Sequence, residues 1–582
     1  MAKIEIGTGR HSLAHVMAKA VCELYGEVQL AIGPAIDDGF YYDFDLKTAV
    51  NAEDLPKIEA RMREILKRRE PFVRREITRE EGEKLFAGDP YKSELLSRVP
   101  EGETISVYGL GEDFCDLCRG PHVENAGDLL NWGFHLRAVS GAYWNADQSK
   151  DMLQRIYAYA FPDQKELKEH MRLIEEAKKR DHRVLGPQHD LFFFDETAPG
   201  MPYWLPKGLK IFNTLLDFWR YEHEKRGYQE ISAPLVNDVS LWKTSGHWAH
   251  YQDNMFVIPG ENKSFAIKPM NCPNAMLVYK RKVRSYRDLP LRFSDCDVLH
   301  RKEASGTLHG LLRVQMFRQD DSHNFITEDQ IFDEVNSILD IVDRFYHIFG
   351  LTYRPMLSTR PADFMGAPEL WDRAEAELKA ILDTRYGAGS YDVNEGDGAF
   401  YGPKIDIVMT DALKRTWQTG TVQLDFQLPR NFELVYTDKD GKQKTPVVVH
   451  RVVYGSMERF IGILIEHFAC AFPFWFSPEQ IRVLTVKEAH IPFAKEVADT
   501  LYEAGFKVGA DFSEEMIGGK VKAVRLDRVP YALIIGDNEC ASKKLSVRCR
   551  SGKQLQDVAP EDLIRSLTAL KSAKALELTE EF

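Results

Sequence analysis

The chain has 582 residues, eight cysteines and a formal net charge of −13, in an ordinary globular composition of 44% apolar and 28% charged residues, which sets a prior of three or four domains at ~150 residues each. No apolar run nears the ~18 residues that cross a bilayer, MAKIEIGTGR has no apolar stretch of the kind an export signal needs, and eight scattered cysteines make no disulfide framework, so a soluble cytoplasmic protein without a membrane partner is expected. The acidic balance argues against DNA held by phosphate charge alone, so any nucleic-acid partner has to be argued from local motifs.

In chain order, HSLAHVMAKA opens the first predicted helix. Leu13, Val16, Met17, Ala20, Val21 and Leu24 form one apolar stripe at helical spacing, and His11 and His15 fall on the opposite face. That placement argues against core histidines and leaves a metal pair, a catalytic pair or two solvated imidazoles. VQLAIGPAIDDGFYYDFDL reads as a strand, a Gly-Pro turn and an acidic-aromatic hairpin, EDLPKIEARMREILKRRE as a charged helix and RIYAYAF as a closing strand. A charged amphipathic helix without Gly or Pro is predicted over 164–183, and a loop over 195–208. Beyond it a helix leads into many strands (SFAIKP, LRFSDCDVLHR, LRVQMFRQDD, KIDIVMTD, TVQLDFQL), which outnumber the helices. That predicts an antiparallel sheet with flanking helices rather than a doubly wound parallel one. From about Pro478 strands and helices alternate regularly, as in a small α/β domain.

Neither G-x-x-x-x-G-K-[ST] nor a G-x-G-x-x-G turn between strand and helix occurs. A nucleotide would therefore be held by arginines, whose planar forks match phosphate oxygens. VLHRKEASGTLHGLLRVQMFRQDDSHNF is the densest candidate. Arg301 and Glu303 alternate along one predicted strand, and Arg313, Phe317, Gln319 and Asp321 share a face of the returning one. Arginine for phosphate, phenylalanine for stacking and glutamate for an amino group suit an adenine nucleotide. A solvated sheet face has no need of that set.

RKEASGTLHGLLRVQMF resembles the second signature motif of class II aminoacyl-tRNA synthetases, VVYGSMERFIGILIEHF the third, and ISAPLV the Pro-containing first. The class I signatures H-I-G-H and K-M-S-K-S are absent. TSGHWAHYQDNMF, KPMNCPNA, QDDSHNF, AFYGPKIDI, WQTGTVQLDFQLP and HRVVYGSMERF resemble the bacterial threonyl-tRNA synthetases, and the likeness covers nearly the whole chain. It implies an α/β and α+β multidomain protein: an N-terminal α+β editing domain over 1–163, a connecting helix over 164–190, a class II antiparallel catalytic sheet with flanking helices over 191–477, and an α/β anticodon-binding domain over 478–582.

The same resemblance implies a homodimer that activates L-threonine with ATP and Mg2+ and transfers it to threonine tRNA. It assigns one Zn2+ per subunit to Cys272, His323 and His450, which spacing alone would not have paired. Three S and N ligands leave positions for threonine's amino group and hydroxyl, and valine has no hydroxyl to offer. Asp321, Tyr401, Gln319, Lys404 and Gln423 would contact threonine. Arg301, Glu303, Arg313, Phe317, Gln418 and Arg459 would hold ATP. Arg301, Arg459 and His247 would be catalytic, His247 beside the terminal adenosine. Serine keeps the hydroxyl, and a missing methyl is worth only ~1–3 kcal/mol, so hydrolytic editing of seryl-tRNA is implied. CDLCRGPHVEN adds Cys118 and His122 to His11 and His15, with Lys92 and Asp116 as further editing residues. Ligand identity alone would suggest zinc there too, whereas the family uses such a tetrad to hold water and ester without an obligatory metal.

Arg528, Glu539 and Arg548 match anticodon-contacting positions. Lys520, Lys522 and Arg525 are either added positive charge for phosphate or a solvated helix face. The family usually begins with a ubiquitin-like domain, and with His11 almost at the start this chain is expected to lack it. RKE replaces the more usual Arg-Asn-Glu or Arg-Tyr-Glu, with Lys302 expected to face away, and DFSEEMIGG replaces a basic pattern. A tRNA-binding paralogue and a free-standing hydrolase are the competing classes. The intact Arg301, Arg313, Arg459, Cys272, His323 and His450 oppose both.

Overall fold

HSLAHVMAKA lies in a helix, Ile6–Tyr25, of a computed structural model that describes residues 4–147 and 149–582. Glu5 caps its start by accepting from the Gly7 and Thr8 amides, and Gly26 closes it with a φ of 74°. The argument against buried histidines fails for His15: with Ser12 and Lys19 it is buried together with Leu13, Val16, Met17, Ala20 and Val21. A five-stranded antiparallel sheet packs on the helix, in the order Val28–Leu30, Gly39–Leu46, Met152–Phe161, Gly133–Tyr143, with Ala35–Ile36 paired beside Gly39–Leu46. Helix Leu55–Arg68 and strand Ile105–Leu110 of a smaller sheet also pack on it. Enclosed in this way, its polar side chains must take protein partners. Lys19 Nζ donates to Glu70 at 2.6 Å, Asp113 at 2.7 Å and the Leu110 carbonyl at 2.9 Å.

The chain divides into two compact units, Met1–Glu176 and Ala177–Phe582. The connecting helix ends at Arg180, short of the expected 183, because Asp181 leaves helical geometry and caps a second short helix, His182–Gln188. The expected loop over 195–208 also ends early. Tyr203–Trp204 pairs with Phe192–Phe193, and Pro206 opens the helix Pro206–Glu224.

The second unit is built on a nine-stranded sheet in the order Gln229–Glu230, Leu291–Asp295, Met316–Ile326, Val447–Ser456, Thr416–Asp425, Lys404–Thr410, Thr352–Ser358, Asp392–Asn394, with Val298–His300 paired beside Met316–Ile326. It is antiparallel except for the two outermost pairs of that order. Period-2 alternation decides its faces. Val449 and Val453 join Ile338, Val342 and Phe345 of the helix Ile331–His347 in the main core, and His450 and Val452 lie on the other face. One sequence expectation fails here. The first motif strand stops at His300 and the returning one starts at Met316, so Arg301, Glu303 and Arg313 lie on the loop between. Two short 3-10 turns and Gly310, at φ 51°, occupy that span, and its arms are joined only locally, by Arg301 N–H to the Gln315 carbonyl at 2.8 Å and His309 N–H to the Arg313 carbonyl at 3.1 Å.

After Ser477 a separate five-stranded sheet forms. Val508–Asp511, Ile481–Thr485 and Tyr531–Ile535 are parallel, within the small α/β domain that the alternation predicted. The antiparallel pair Leu545–Cys549 and Gln554–Val558 and the helix Asp537–Ser542 are additions to that reading. No helix among the described residues is long and apolar enough to cross a membrane.

Gly208 shows how closely the second unit is packed. A Cβ there would lie 1.9 Å from the Leu191 carbonyl oxygen. Gly208→Ala is expected to destabilise the chain by ~1–3 kcal/mol, read as a lower urea midpoint. Parent-like stability would contradict this packing.

Candidate functional site

In the first unit, the loop after Cys115–Leu117 folds back over the first helix. The donor atoms of His11, His15, Cys118 and His122 all come within 4.8 Å of one another. Cys118 Sγ is 3.2 Å from His122 Nε2 and 3.4 Å from His11 Nε2. Ser12 fixes the ring of His122. Its hydroxyl gives its one proton to the Thr8 carbonyl, so it accepts from His122 Nδ1 at 3.1 Å, leaving Nε2 as the acceptor that faces Cys118. Ser12 was not anticipated as a site residue, because its signal is spatial. Below the histidines, Lys92 pairs with Asp116 and donates to the Ala31 carbonyl at 2.7 Å. Asp116 also accepts from Tyr42. All six expected editing residues thus form one cluster, and a cavity of about 280 Å3 opens beside Cys118.

Burial sets the charge state of this cluster. It lowers His11 and His122 and takes His15 well below the ordinary imidazole range, with His11 and Lys92 adding repulsion at His15. Burial also pushes the Cys118 thiol up to about 11. The tetrad is therefore neutral at pH 7, next to a fixed Lys92–Asp116 pair. It can orient a water and pass protons without first losing one.

In the second unit, register brings distant residues into rows. Phe293, His323, His450, Gln423 and Lys404 are successive cross-strand partners, each directly opposite the next. Two residues along, Asp295, Asp321, Val452, Thr421 and Asp406 form a second row on the same face. Cys272, at the start of helix Cys272–Lys280, completes a trio with His323 and His450 whose donor atoms lie within 4.8 Å of one another. Both ring nitrogens of His323 and Nδ1 of His450 are buried without a hydrogen-bond partner, and His450 Nε2 is 2.8 Å from Asp425 Oδ2. An S/N/N set with orphaned lone pairs and a carboxylate behind one imidazole fits a zinc ion.

Asp321 borders the trio. It accepts from Asn271 at 3.3 Å, and burial raises its carboxyl and that of Asp295. Tyr401 meets His450 edge-to-face, 5.5 Å between ring centroids. His247 is fully buried, 2.8 Å from Ser245 Oγ and 6.4 Å from the Tyr401 ring. Its pKa falls to about 4 through burial and then the charges of His450 and Arg301. Gln423 donates to the Gly402 carbonyl. Lys404 is held by Asp406 at 2.9 Å and Asp397 at 3.2 Å. Asp406 also accepts from Gln418, Thr421 and Ser358. This hub escapes the sequence reading, where its signal is the i, i+2 spacing from Lys404.

Alongside lies a cavity of about 420 Å3 lined by Arg301, Glu303, Arg313, Phe317, Gln319, Gln418 and Arg459. The loop supplies Arg301, Glu303 and Arg313, strands supply Phe317, Gln319 and Gln418, and helix Met457–Phe468 supplies Arg459. Arg301 lies 5.0 Å from the Phe317 ring centroid, Arg313 pairs with Glu303 at 2.9 Å, and Arg459 donates to the Leu312 carbonyl at 2.9 Å. Burial lowers Arg459, and Arg301 and Arg313 lower it further. Three guanidiniums thus converge on one cavity, an arrangement whose planar forks suit an anion.

The anticodon candidates are carried by three different elements around one strand. Arg528 precedes the strand Tyr531–Ile535, Arg548 pairs opposite Ala532 near that strand's start, and Glu539 lies in the helix beyond its end. Lys520 is no free cation. It is buried and donates to the backbone carbonyls of Thr485, Asp511 and Ser513. Lys522 and Arg525 are exposed, as is Lys302.

Family models match over three stretches: the class II core domain of the G, H, P, S and T synthetases over residues 256–468, an anticodon-binding domain over 480–570, and the threonyl and alanyl tRNA synthetase second additional domain over 105–157. The threonine–tRNA ligase of Thermotoga maritima is 48% identical over 576 residues, covering 98% of this chain and 89% of that protein. The chain belongs to the threonine–tRNA ligase family. The ligase of Acetivibrio thermocellus is also 48% identical, over 97% of this chain and 88% of its own. Among solved structures, the RNA-binding domain of the Cryptosporidium parvum threonyl-tRNA synthetase matches with a TM-score of 0.65 at 43% identity, over 67% of this chain and 98% of that one. A putative threonyl-tRNA synthetase from Aeropyrum pernix matches at 0.60 and 28% identity, over 68% and 95%. As a threonine–tRNA ligase the protein joins threonine to its tRNA at the expense of ATP, and it carries the additional domain that serves hydrolytic editing.

The neutral histidines make a pH prediction. The unfolded chain takes up protons near pH 6.5, whereas folded His15 refuses them, so stability is lost as pH falls below ~6.5, by up to about 1.4 kcal/mol per pH unit for such a histidine. Urea unfolding at pH 7.5 and 5.5 should show a difference that narrows in His15→Asn. The same difference in parent and variant would mean that His15 is protonated freely in the fold.

Proposed function

We propose that the two clusters divide the ligase's work, charging on the sheet face of the catalytic domain (191–477) and editing in the first domain (1–163), with 164–190 connecting them and 478–582 reading the anticodon. The convergence of Arg301, Arg313 and Arg459 beside the Cys272, His323, His450 trio carries this reading. In charging, ATP lies in the arginine pocket with Mg2+. Adenine stacks on Phe317 and bonds Glu303, and Arg313 exchanges its pair with Glu303 for the outer phosphates, shared with Arg459. Arg301 holds the α-phosphate and neutralises the charge that builds as threonine's carboxylate attacks it. Gln418 borders this pocket.

Cys272, His323 and His450 would hold one Zn2+ per subunit, which supplies a Lewis acid that selects an amino alcohol over an isosteric hydrocarbon. Asp321 accepts a hydrogen bond from the threonine hydroxyl, and Tyr401, Gln319, Gln423 and Lys404 border the amino acid. His247, held neutral, serves the ribose hydroxyl during transfer. In editing, the neutral His11, His15, Cys118 and His122 orient water and ester, and Lys92 with Asp116 supplies the proton for the departing ribose oxygen. The tetrad needs no ion for this role. Arg528, Glu539 and Arg548 contact the anticodon, and the working form is a cytoplasmic homodimer.

Amino-acid-dependent ATP–pyrophosphate exchange tests the charging site. Threonine should support exchange, valine should not, and removal of zinc should abolish the distinction along with most activity. Equal exchange with valine sinks the zinc assignment. Arg313→Ala should raise the KM for ATP by about tenfold or more, as expected for a lost charge-assisted contact. For editing, His11→Ala combined with Cys118→Ala should leave threonylation intact while seryl-tRNA accumulates. Normal deacylation by that double variant rules the tetrad out.

A further inference from the structure

His182 sits outside both clusters and is fully buried at the start of the helix His182–Gln188. Its Nδ1 is 2.6 Å from Glu466 Oε1, and its Nε2 is 2.9 Å from the Leu311 backbone nitrogen. A carboxylate accepts and a backbone N–H donates, so the ring carries its proton on Nδ1 and presents a lone pair at Nε2. Burial would raise Glu466, but His182 and Arg415 hold its carboxyl below the usual range, which keeps it an acceptor. Asp181, His182 and Glu466 offer converging donor atoms, yet both imidazole nitrogens already have partners, so this is not a metal site.

The neighbours of the ring are the walls of the arginine pocket. Leu311 precedes Leu312, whose carbonyl accepts from Arg459 Nε at 2.9 Å, and then Arg313. Glu466 lies on the same helix as Arg459 and pairs with Arg415 at 2.6 Å. Arg415 in turn pairs with Asp411, which accepts from the Trp417 indole at 3.0 Å, and Trp417 lines the pocket's other side. The loop is built against the ring. Gly310 has a φ of 51°, and a Cβ there would lie 2.2 Å from His182 Nε2.

We infer that His182 is a positioning residue for the nucleotide: it pins the Leu311 amide and so holds Leu312 and Arg313 where Arg459 and the outer phosphates meet. This rests on the arginine pocket being the ATP site. The lost pin is one buried hydrogen bond, so its removal should weaken nucleotide binding more than threonine binding.

Two variants of the zinc-replete, full-length protein separate this role from plain stabilisation. In His182→Asn the amide nitrogen still reaches Glu466, and Leu311 loses its acceptor. In His182→Gln a carbonyl oxygen reaches Leu311, and the bond to Glu466 is lost. The expected result is faster hydrogen exchange at the Leu311 amide and an ATP KM raised about tenfold in His182→Asn, with threonine KM within about twofold. His182→Gln should stay near the parent in both readouts. Equal effects of the two variants, or ATP and threonine KM rising together, overturn the inference. If His182→Asn does not fold, a tenfold rise in ATP KM for His182→Gln overturns it alone. If Leu311 exchange accelerates while Arg313→Ala leaves ATP KM unchanged, the pocket assignment has failed and the nucleotide role fails with it.

Discussion

The second unit depends on one constraint, the register of its central antiparallel strands. His323 of Met316–Ile326 lies directly opposite His450 of Val447–Ser456, which lies opposite Gln423, which lies opposite Lys404. A slip of one residue in any pair would turn half of this row toward the helices. The other face prevents that slip. Val449, Val453, Ile405, Ile407, Val422 and Leu424 are buried against the helix Ile331–His347 and its neighbours, and moving them to the polar face would expose the core. Hydrophobic burial on one side therefore sets the positions of His323, His450, Gln423 and Lys404 on the other.

Buried polarity on both faces of the sheet is costly to build, and its partners show how that cost is met. Asp320 is fully buried and accepts from the Val453 and Gly455 amides, next to Arg451. Burial pushes its carboxyl up to about 7 despite those donors. Asp406 and Asp425 are each saturated by several donors. The unpartnered nitrogens that remain, on His323 and His450, sit where a ligand would complete them. Three arginines facing one cavity are likewise electrostatically unfavourable until an anion arrives. The strain falls on a loop whose backbone is tied to scaffold residues at Leu311 and Leu312.

The first unit meets the same requirement differently. Its helix is enclosed, and most of the polar groups there and beside it are paired: Lys19 with Glu70 and Asp113, Lys92 with Asp116, and Ser12 with His122, while His15 Nδ1 is buried without a partner. Burial that would be ruinous for a lone charge holds the histidine and cysteine cluster neutral and leaves the Lys92–Asp116 ion pair at its edge.

Much was legible without coordinates. The excess of strands over helices pointed to the antiparallel character of the large sheet, the regular alternation to a small α/β domain after it, and the motif strings carried the family. Local physics also misled at definite places. Helical spacing sorted Leu13 and Val16 from His15, but it carries no information about how many neighbours enclose a helix, so it argued wrongly against burial of His15. Strand alternation placed Arg301 and Glu303 on a shared face, whereas Gly310 and the short turns put them on a loop that reaches the same cavity. A run of basic residues made Lys520 look available, and its ammonium is spent on backbone carbonyls. The sequence by itself determined which side chains exist for each chemistry and which elements carry them, because those follow from residue type and local period. The tertiary structure alone decided which of them meet. Cys272, His323 and His450 converge, as do His182 and Leu311, through strand register and close packing, and those act between residues that are far apart along the chain.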